Sequence, residues 1–151
     1  MNTVNVTRAG AESCAPYGQW TRLPDLAPCS GDGWECWMTE QVCMHQPAQV
    51  ALCCHDASRP LVVESMYRDP KGETLLLCGN QPMILPLALG KDAPECLNAF
   101  MLEPGELMLL PPGVWYGDAQ AADGPVYYYA LLLENQRECR PLADGGVKLS
   151  L

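Results

Sequence analysis

Tyr116 closes the stretch Glu103-Pro104-Gly105-Glu106-Leu107-Met108-Leu109-Leu110-Pro111-Pro112-Gly113-Val114-Trp115-Tyr116-Gly117-Asp118, whose layout of strand, tight turn and strand aims one side chain into a barrel. A phenol in that place can donate a proton or orient a carbonyl, or it can be a core aromatic with its hydroxyl at the rim. Tyr67 and Asp69 stand two residues apart, so on an extended chain they share one face, as a common site requires. Asp69 also has a plainer use as the turn former before Pro70. Cys53-Cys54-His55 is the one cluster suited to a soft metal, and strand alternation lets Cys53 and His55 share a site while turning Cys54 away. The competing reading of those thiols is that of small, reduced, buried hydrophobes.

The elements that must position these residues are short and bounded by turn formers. Strands are predicted at 34–39, 49–54, 61–66, 74–78, 83–89, 97–102, 107–110 and 126–133, the pattern of an all-β sandwich or barrel rather than of βαβ units. Residues 9–15 are the one candidate helix, stopped by Pro16, and the Pro, Gly, Ser and Asp of 24–33 read as loop. Pro86 argues for an edge or a bulge within 83–89. The segment 126–133 is apolar on both faces, which suits a central strand or a subunit contact. After Arg140 the tail reads as loose.

Composition sets the outer limits. A chain of 151 residues fits one domain, with its core at about 14–134, and is long enough to fold without metals or disulfides. With 48% hydrophobic and 18% charged residues it is not a disordered chain. A net charge of -9 repels nucleic-acid phosphates and anionic membranes alike. The N-terminus has no signal-peptide pattern and no run is long enough to span a bilayer, so a cytoplasmic location is expected. Nine cysteines are many for that compartment, but the count is odd and no Cys-x-x-Cys occurs. His45 and His55 are the two histidines and lie outside the segments described so far as strand–turn–strand.

The spacing Gly105, five residues, Pro111, one residue, Gly113, two residues, Tyr116 resembles the second motif of the cupins, antiparallel jelly-roll β-barrels, with Tyr116 where the family usually has a metal-binding His. The first cupin motif is matched by Tyr67-Arg68-Asp69-Pro70-Lys71-Gly72-Glu73 and Gly79, with Tyr67 and Asp69 in place of the two His and Glu73 at the acid position. Within the cupins the chain is similar to the ureidoglycolate lyase (ureidoglycolate hydrolase) family, through Ala15-Pro16-Tyr17-Gly18, Tyr67-Arg68-Asp69-Pro70, Gln81-Pro82-Met83-Ile84-Leu85 and Gly113-Val114-Trp115-Tyr116. His is replaced at Asp69 and Tyr116.

The resemblance implies a cupin-type barrel with a short N-terminal helix, a small-molecule ligand or substrate, and a homodimer. Its reaction, release of urea from ureidoglycolate to leave glyoxylate, needs a base, an acid and a cation. Glu73 or Asp69, held in an apolar barrel, is expected to have a raised pKa suited to proton transfer, with Tyr116 as a proton donor. Tyr67, Arg68, Lys71 and Trp115 would contact substrate, with Arg68 or Lys71 on its carboxylate. No metal and no cofactor is expected, because these positions offer oxygen ligands instead of imidazoles. The alternative is a non-catalytic small-molecule-binding barrel that has lost the metal-binding His residues.

Overall fold

The computed structural model describes residues 1–56, 60–133 and 136–151. Its strands are β1 (Asn2–Arg8), β2 (Gln19–Arg22), β3 (Cys29–Gly31), β4 (Trp34–Cys36), β5 (Gln49–His55), β6 (Val62–Val63), β7 (Ser65–Arg68), β8 (Thr74–Cys78), β9 (Met83–Leu89), β10 (Glu95–Leu102), β11 (Glu106–Leu110), β12 (Trp115–Tyr116), β13 (Gln120–Ala121), β14 (Val126–Leu132), β15 (Glu138–Pro141) and β16 (Val147–Ser150). One α-helix, α1 (Ala11–Cys14), falls inside the segment expected to be helical. The all-β expectation holds.

Two curled sheets face each other. The larger runs β15-β7-β12-β9-β10-β1-β16-β6, with β13 also on β9, and the smaller runs β2-β11-β8-β14-β5. Strict alternation drives their association: Thr74, Leu76 and Cys78 of β8 and Val126, Tyr128, Ala130 and Leu132 of β14 are buried, and they meet Met83, Leu85 and Leu87 of β9. Each fully buried Leu or Met contributes about 1.5–3 kcal/mol relative to exposure. A second core, with Val63, Met66, Ile84, Ala88, Ala99, Trp115 and Leu149, lies on the other face of the larger sheet. That face is enclosed because β6 and β7 sit near opposite ends of the strand order yet are joined through Glu64 alone, so the sheet must curl on itself.

Glu106 fastens one sheet to the other. It is fully buried on β11, and Arg8 of β1 grips both its carboxylate oxygens, with 2.8 Å from one guanidinium nitrogen to Oε2. Trp20 Nε1 and the Glu103 backbone N–H also donate to it. Burial alone would raise the pKa of this carboxyl, but the Arg8 and Glu103 hydrogen bonds outweigh it and leave the value below the usual range.

Several expectations need correcting. Pro86 is not on an edge, because β9 is central, but the expected irregularity is there: its neighbour on one side changes from β12 to β13, and between Leu87↔Tyr116 and Ile84↔Gln120 the partner segment carries one extra residue. The missing proline N–H has no ladder partner to disappoint there, while its carbonyl accepts from Gly117 at 2.9 Å. The segment after Arg140 is not loose, since β16 pairs with β1 and β6 and Leu149 is 2% exposed. The ordered body therefore extends beyond 14–134 at both ends. Trp34–Cys36 is a strand, shorter than the 34–39 expected, and it forms an exposed hairpin with β3, which lies inside the segment 24–33 read as loop. Among the described residues no helix is long and apolar enough to cross a membrane.

Candidate functional site

The second-motif turn places Tyr116 as the sequence led one to expect. Gly113 adopts φ +88°, open to glycine and costly for other residues, and its N–H donates to the Asp69 carbonyl at 2.8 Å. That bond ties the Pro111-Pro112-Gly113 reversal to the end of β7. On β12 the two residues then part: Trp115 points into the second core with its Nε1 on the Gly90 carbonyl at 2.9 Å, and Tyr116 points between the sheets.

A cavity of about 210 Å³ opens there. Tyr116, Tyr128, Cys53, Asp118 and Arg137 supply its polar groups, and Ala51, Leu76, Ala130 and Leu132 its apolar wall. The Arg137 guanidinium stacks 4.3 Å from the centre of the Tyr67 ring, which lies 6.2 Å from that of Tyr116. Stacking engages the flat face of a guanidinium, whereas its N–H groups point outward in the plane, toward a carboxylate in a bidentate pair.

The hydroxyl of Tyr116 is buried without a well-formed hydrogen bond, as is that of Thr74, although Thr74 and the Arg137 guanidinium are close enough to act on it. Burial raises the Tyr116 pKa, opposed by Arg137 and Thr74. Tyr128 is pushed up further by burial and by Cys53 and Asp118, while the Ala119 backbone opposes the rise. Both phenols therefore stay protonated at neutral pH and are donors. The arrangement presents a cation, two phenolic donors and a carboxylate around an otherwise apolar space, the composition of a pocket for a small polar molecule.

The other residues named from sequence are arranged differently. Tyr67 is inward, beneath Arg137. Asp69 is buried, but its Oδ1 accepts the N–H groups of Lys71 and Gly72 at 2.8 and 2.7 Å, so the turn-forming role is realised; its Oδ2 is buried without a partner. Lys71 is exposed on that turn. Glu73 does not line the cavity; it accepts from the His45 backbone N–H at 2.7 Å with His45 Nδ1 2.8 Å away. The raised pKa expected for it is corrected: burial pushes upward, but the His45 contacts prevail and hold it below the usual carboxylate value. Arg68 and Trp115 lie together on the far side of the sheet, 4.4 Å apart, with Arg68 paired to Glu138 at 2.8 Å. Neither reaches the cavity.

Cys53 and His55 do share a face of β5, but His55 lines a neighbouring cavity of about 240 Å³, with Asp118 between the two. The cupin resemblance raises the question of a metal at the motif positions. Among the described residues no group of three or more His, Cys, Asp or Glu is placed to hold one. Asp69 Oδ1 is engaged by the turn and Glu73 by His45, so the residues present do not fit a transition-metal centre.

Sequence reasoning passed over Arg137, Asp118 and Tyr128. Alternation carried two residues past Tyr116 points to Asp118, and carried along 126–133 it points to Tyr128. Arg137 follows β14 and had no local signal, because 14–134 was taken as the core.

No family model and no curated protein matches the chain. Among solved structures, a dTDP sugar isomerase from Desulfovibrio desulfuricans G20 is similar at 17% identity and a TM-score of 0.60, over 84% of this chain and 85% of that one. A dTDP-6-deoxy-D-glucose-3,5-epimerase from Legionella pneumophila Philadelphia 1, in complex with dTDP-4-keto-L-rhamnose, aligns at 9% identity and a TM-score of 0.52, over 83% and 80%. These likenesses concern the fold, and with the two facing sheets they make this chain a cupin-type jelly roll.

Proposed function

We propose that this cupin-fold chain binds a small carboxylic acid in the cavity between its sheets, with Arg137 on the carboxylate and the Tyr116 hydroxyl on the same or a neighbouring oxygen. The observation that carries the reading is the buried Tyr116 hydroxyl, without a well-formed hydrogen bond, beside Arg137 in the cavity wall. An unsatisfied polar group costs stability, so a fold that keeps one gains by it elsewhere, and a ligand oxygen would satisfy it. The volume is below the roughly 300–1,000 Å³ of ordinary ligand clefts, which favours a compact metabolite over a nucleotide sugar.

The catalytic reading is urea release from a ureido acid such as ureidoglycolate. One observation favours it over passive binding: Asp118, an acceptor, opens on the same cavity as the protonated phenols of Tyr116 and Tyr128, so a base and two acids border one space. Asp118 then takes the proton-accepting role that the motif alone would give to Glu73, Arg137 takes the carboxylate in place of Arg68 or Lys71, and Tyr67 steadies Arg137.

The barrel pairs with a second copy through the outer face of the smaller sheet. Val50 and Leu52 of β5 are 71% and 61% exposed, and Tyr127 and Tyr129 of β14 are 45% and 44% exposed. Leu52 is opposite Tyr129 and Val50 opposite Leu131, so these side chains form one continuous apolar strip.

The test is a thermal-shift and turnover series with ureidoglycolate and glyoxylate. A small carboxylate at ten times its Kd stabilises by about 1.4 kcal/mol, roughly 3–6 °C here. Arg137→Gln should erase that shift, and glyoxylate released above the Arg137→Gln control would establish the lyase reading. A shift unaltered by Arg137→Gln, or none with either acid, would overturn the cavity assignment.

A further inference from the structure

The hairpin of β3 and β4 sets two thiols directly against each other. Cys29 is opposite Cys36, Ser30 opposite Glu35 and Gly31 opposite Trp34. The turn fixes that register. Asp32-Gly33 is a two-residue connection, and Gly33 takes the positive φ of 77° that tight hairpin turns demand. Gly31 fixes it again: the Trp34 indole lies so close across it that a Cβ would come within 2.4 Å of the indole nitrogen. A slip of one residue would lose both fits and turn the two thiols to opposite faces.

Opposed residues of an antiparallel pair have Cα atoms about 4.5–5.5 Å apart. A disulfide spans roughly 4.4–6.8 Å. Both thiols are free and exposed, so an oxidant can reach them. In the other strand pairings that contain a cysteine the thiol faces something else: Cys53 and Cys78 are each opposite Tyr128, Cys54 opposite Tyr127 and Cys139 opposite Tyr67. Among the described residues the ladder sets cysteine against cysteine only in this hairpin. Among the described residues no group of three potential metal ligands gathers at the pair.

We propose that Cys29 and Cys36 are a redox modification site, closing reversibly into a disulfide with a low-molecular-weight disulfide such as oxidised glutathione as the two-electron acceptor. One cysteine thiolate attacks a sulfur of that disulfide, forming a mixed disulfide and expelling one small thiolate. The other cysteine thiolate attacks the protein-side sulfur and expels the second. One S–S bond breaks for each that forms, and the two cysteine protons end on the two released thiols. The bond staples a two-stranded hairpin that is marginal by itself, while the barrel stays as it is. An exposed link of this kind is also open to reduction, which makes it reversible.

Native protein is equilibrated with oxidised and reduced glutathione at graded ratios, alkylated, digested and mapped by mass spectrometry. The expected result is loss of two of the nine thiols, with Cys29 linked to Cys36 within one chain and full recovery on reduction. Cys29→Ser and Cys36→Ser should each abolish the link, and Cys139→Ser should leave it intact. Stable glutathione adducts on both cysteines without closure, links between chains at these positions, or pairing of either with Cys43 would overturn the proposal. The wild-type map decides the matter even if a serine variant folds poorly.

Discussion

Replacing Tyr116 by Phe should make the protein more stable and its cavity less able to bind, a pairing of signs that an ordinary core tyrosine does not give. The side chain is 3% exposed and its hydroxyl has no well-formed hydrogen bond, nor does the Thr74 hydroxyl. A buried polar group left unsatisfied costs about 1–3 kcal/mol. Arg137 and Thr74 lie close enough to oppose the burial effect on its pKa, so part of that cost is already recovered and the lower end applies. Removing the oxygen should stabilise the free protein by about 1 kcal/mol, a rise in Tm of roughly 2–4 °C for a chain of this size. A carboxylate that accepted the Tyr116 proton would lose a charge-assisted bond of about 1.5–3 kcal/mol, weakening its binding roughly 10- to 100-fold. Tyr128→Phe is the internal control. Its hydroxyl meets the Ala119 backbone and the Cys53 thiol, so that substitution should destabilise by about 1 kcal/mol. Thermal unfolding followed by circular dichroism measures the first effect and calorimetric titration the second. A lower Tm for Tyr116→Phe, or unaltered affinity for a carboxylate that binds the wild type, would refute the reasoning.

Three further outcomes are expected. Glu106 has a folded-state pKa below the ordinary 4.5, so its contribution is complete above that pH and is lost as pH falls through the folded value. Glu106→Gln should therefore cost about 2 kcal/mol at pH 7, the buried-pair penalty reduced because the Arg8 side chain is 48% exposed, and should flatten acid unfolding below pH 4.5 in urea titrations. Protein purified without a metal-binding tag should carry much less than one transition metal per chain by plasma mass spectrometry, because the motif positions hold tyrosines and engaged carboxylates; one tightly held Zn or Ni would contradict this. Leu52→Glu should convert a dimer to a monomer in light scattering at micromolar concentration, and a wild type that is already monomeric would remove the pairing proposed for the β5–β14 face.

Short strand-length runs bounded by Gly, Pro, Asn and Asp made the barrel legible. What the sequence shows at β8 and β14 is a short apolar run between turn formers, whose alternate burial only the structure displays, and the Gly and Pro spacing around Tyr116 carried the turn that aims it inward. β1 escaped notice because Val4 and Val6 are its only apolar residues among Asn, Thr and Arg; its place is secured by neighbours on both edges instead of by its own hydrophobicity. β16 was missed for the same reason. Glu73 misled because a motif position says nothing about a distant loop, and His45 comes from 28 residues upstream to claim that carboxylate. Arg68 misled by parity, since a residue next to inward Tyr67 on one strand must face outward. Arg137 reaches the cavity by a path no local pattern records.

The position of β1 between β10 and β16, parallel to both, has a bearing on how the chain is made. Asn2 pairs with Val147, so β1, once it has left the ribosome, cannot complete its second edge until about 145 further residues have followed. At about 5–20 residues per second that interval is on the order of ten seconds. Throughout it one edge of β1 stays open, and even its pairing with β10 must await about ninety residues of synthesis. The polar make-up that hid β1 from pattern reading is then an asset: Asn2, Thr3, Asn5 and Thr7 make the waiting strand a poor template for aggregation. Folding should be slow and nonlocal, completed when β1 and β16 are laid side by side.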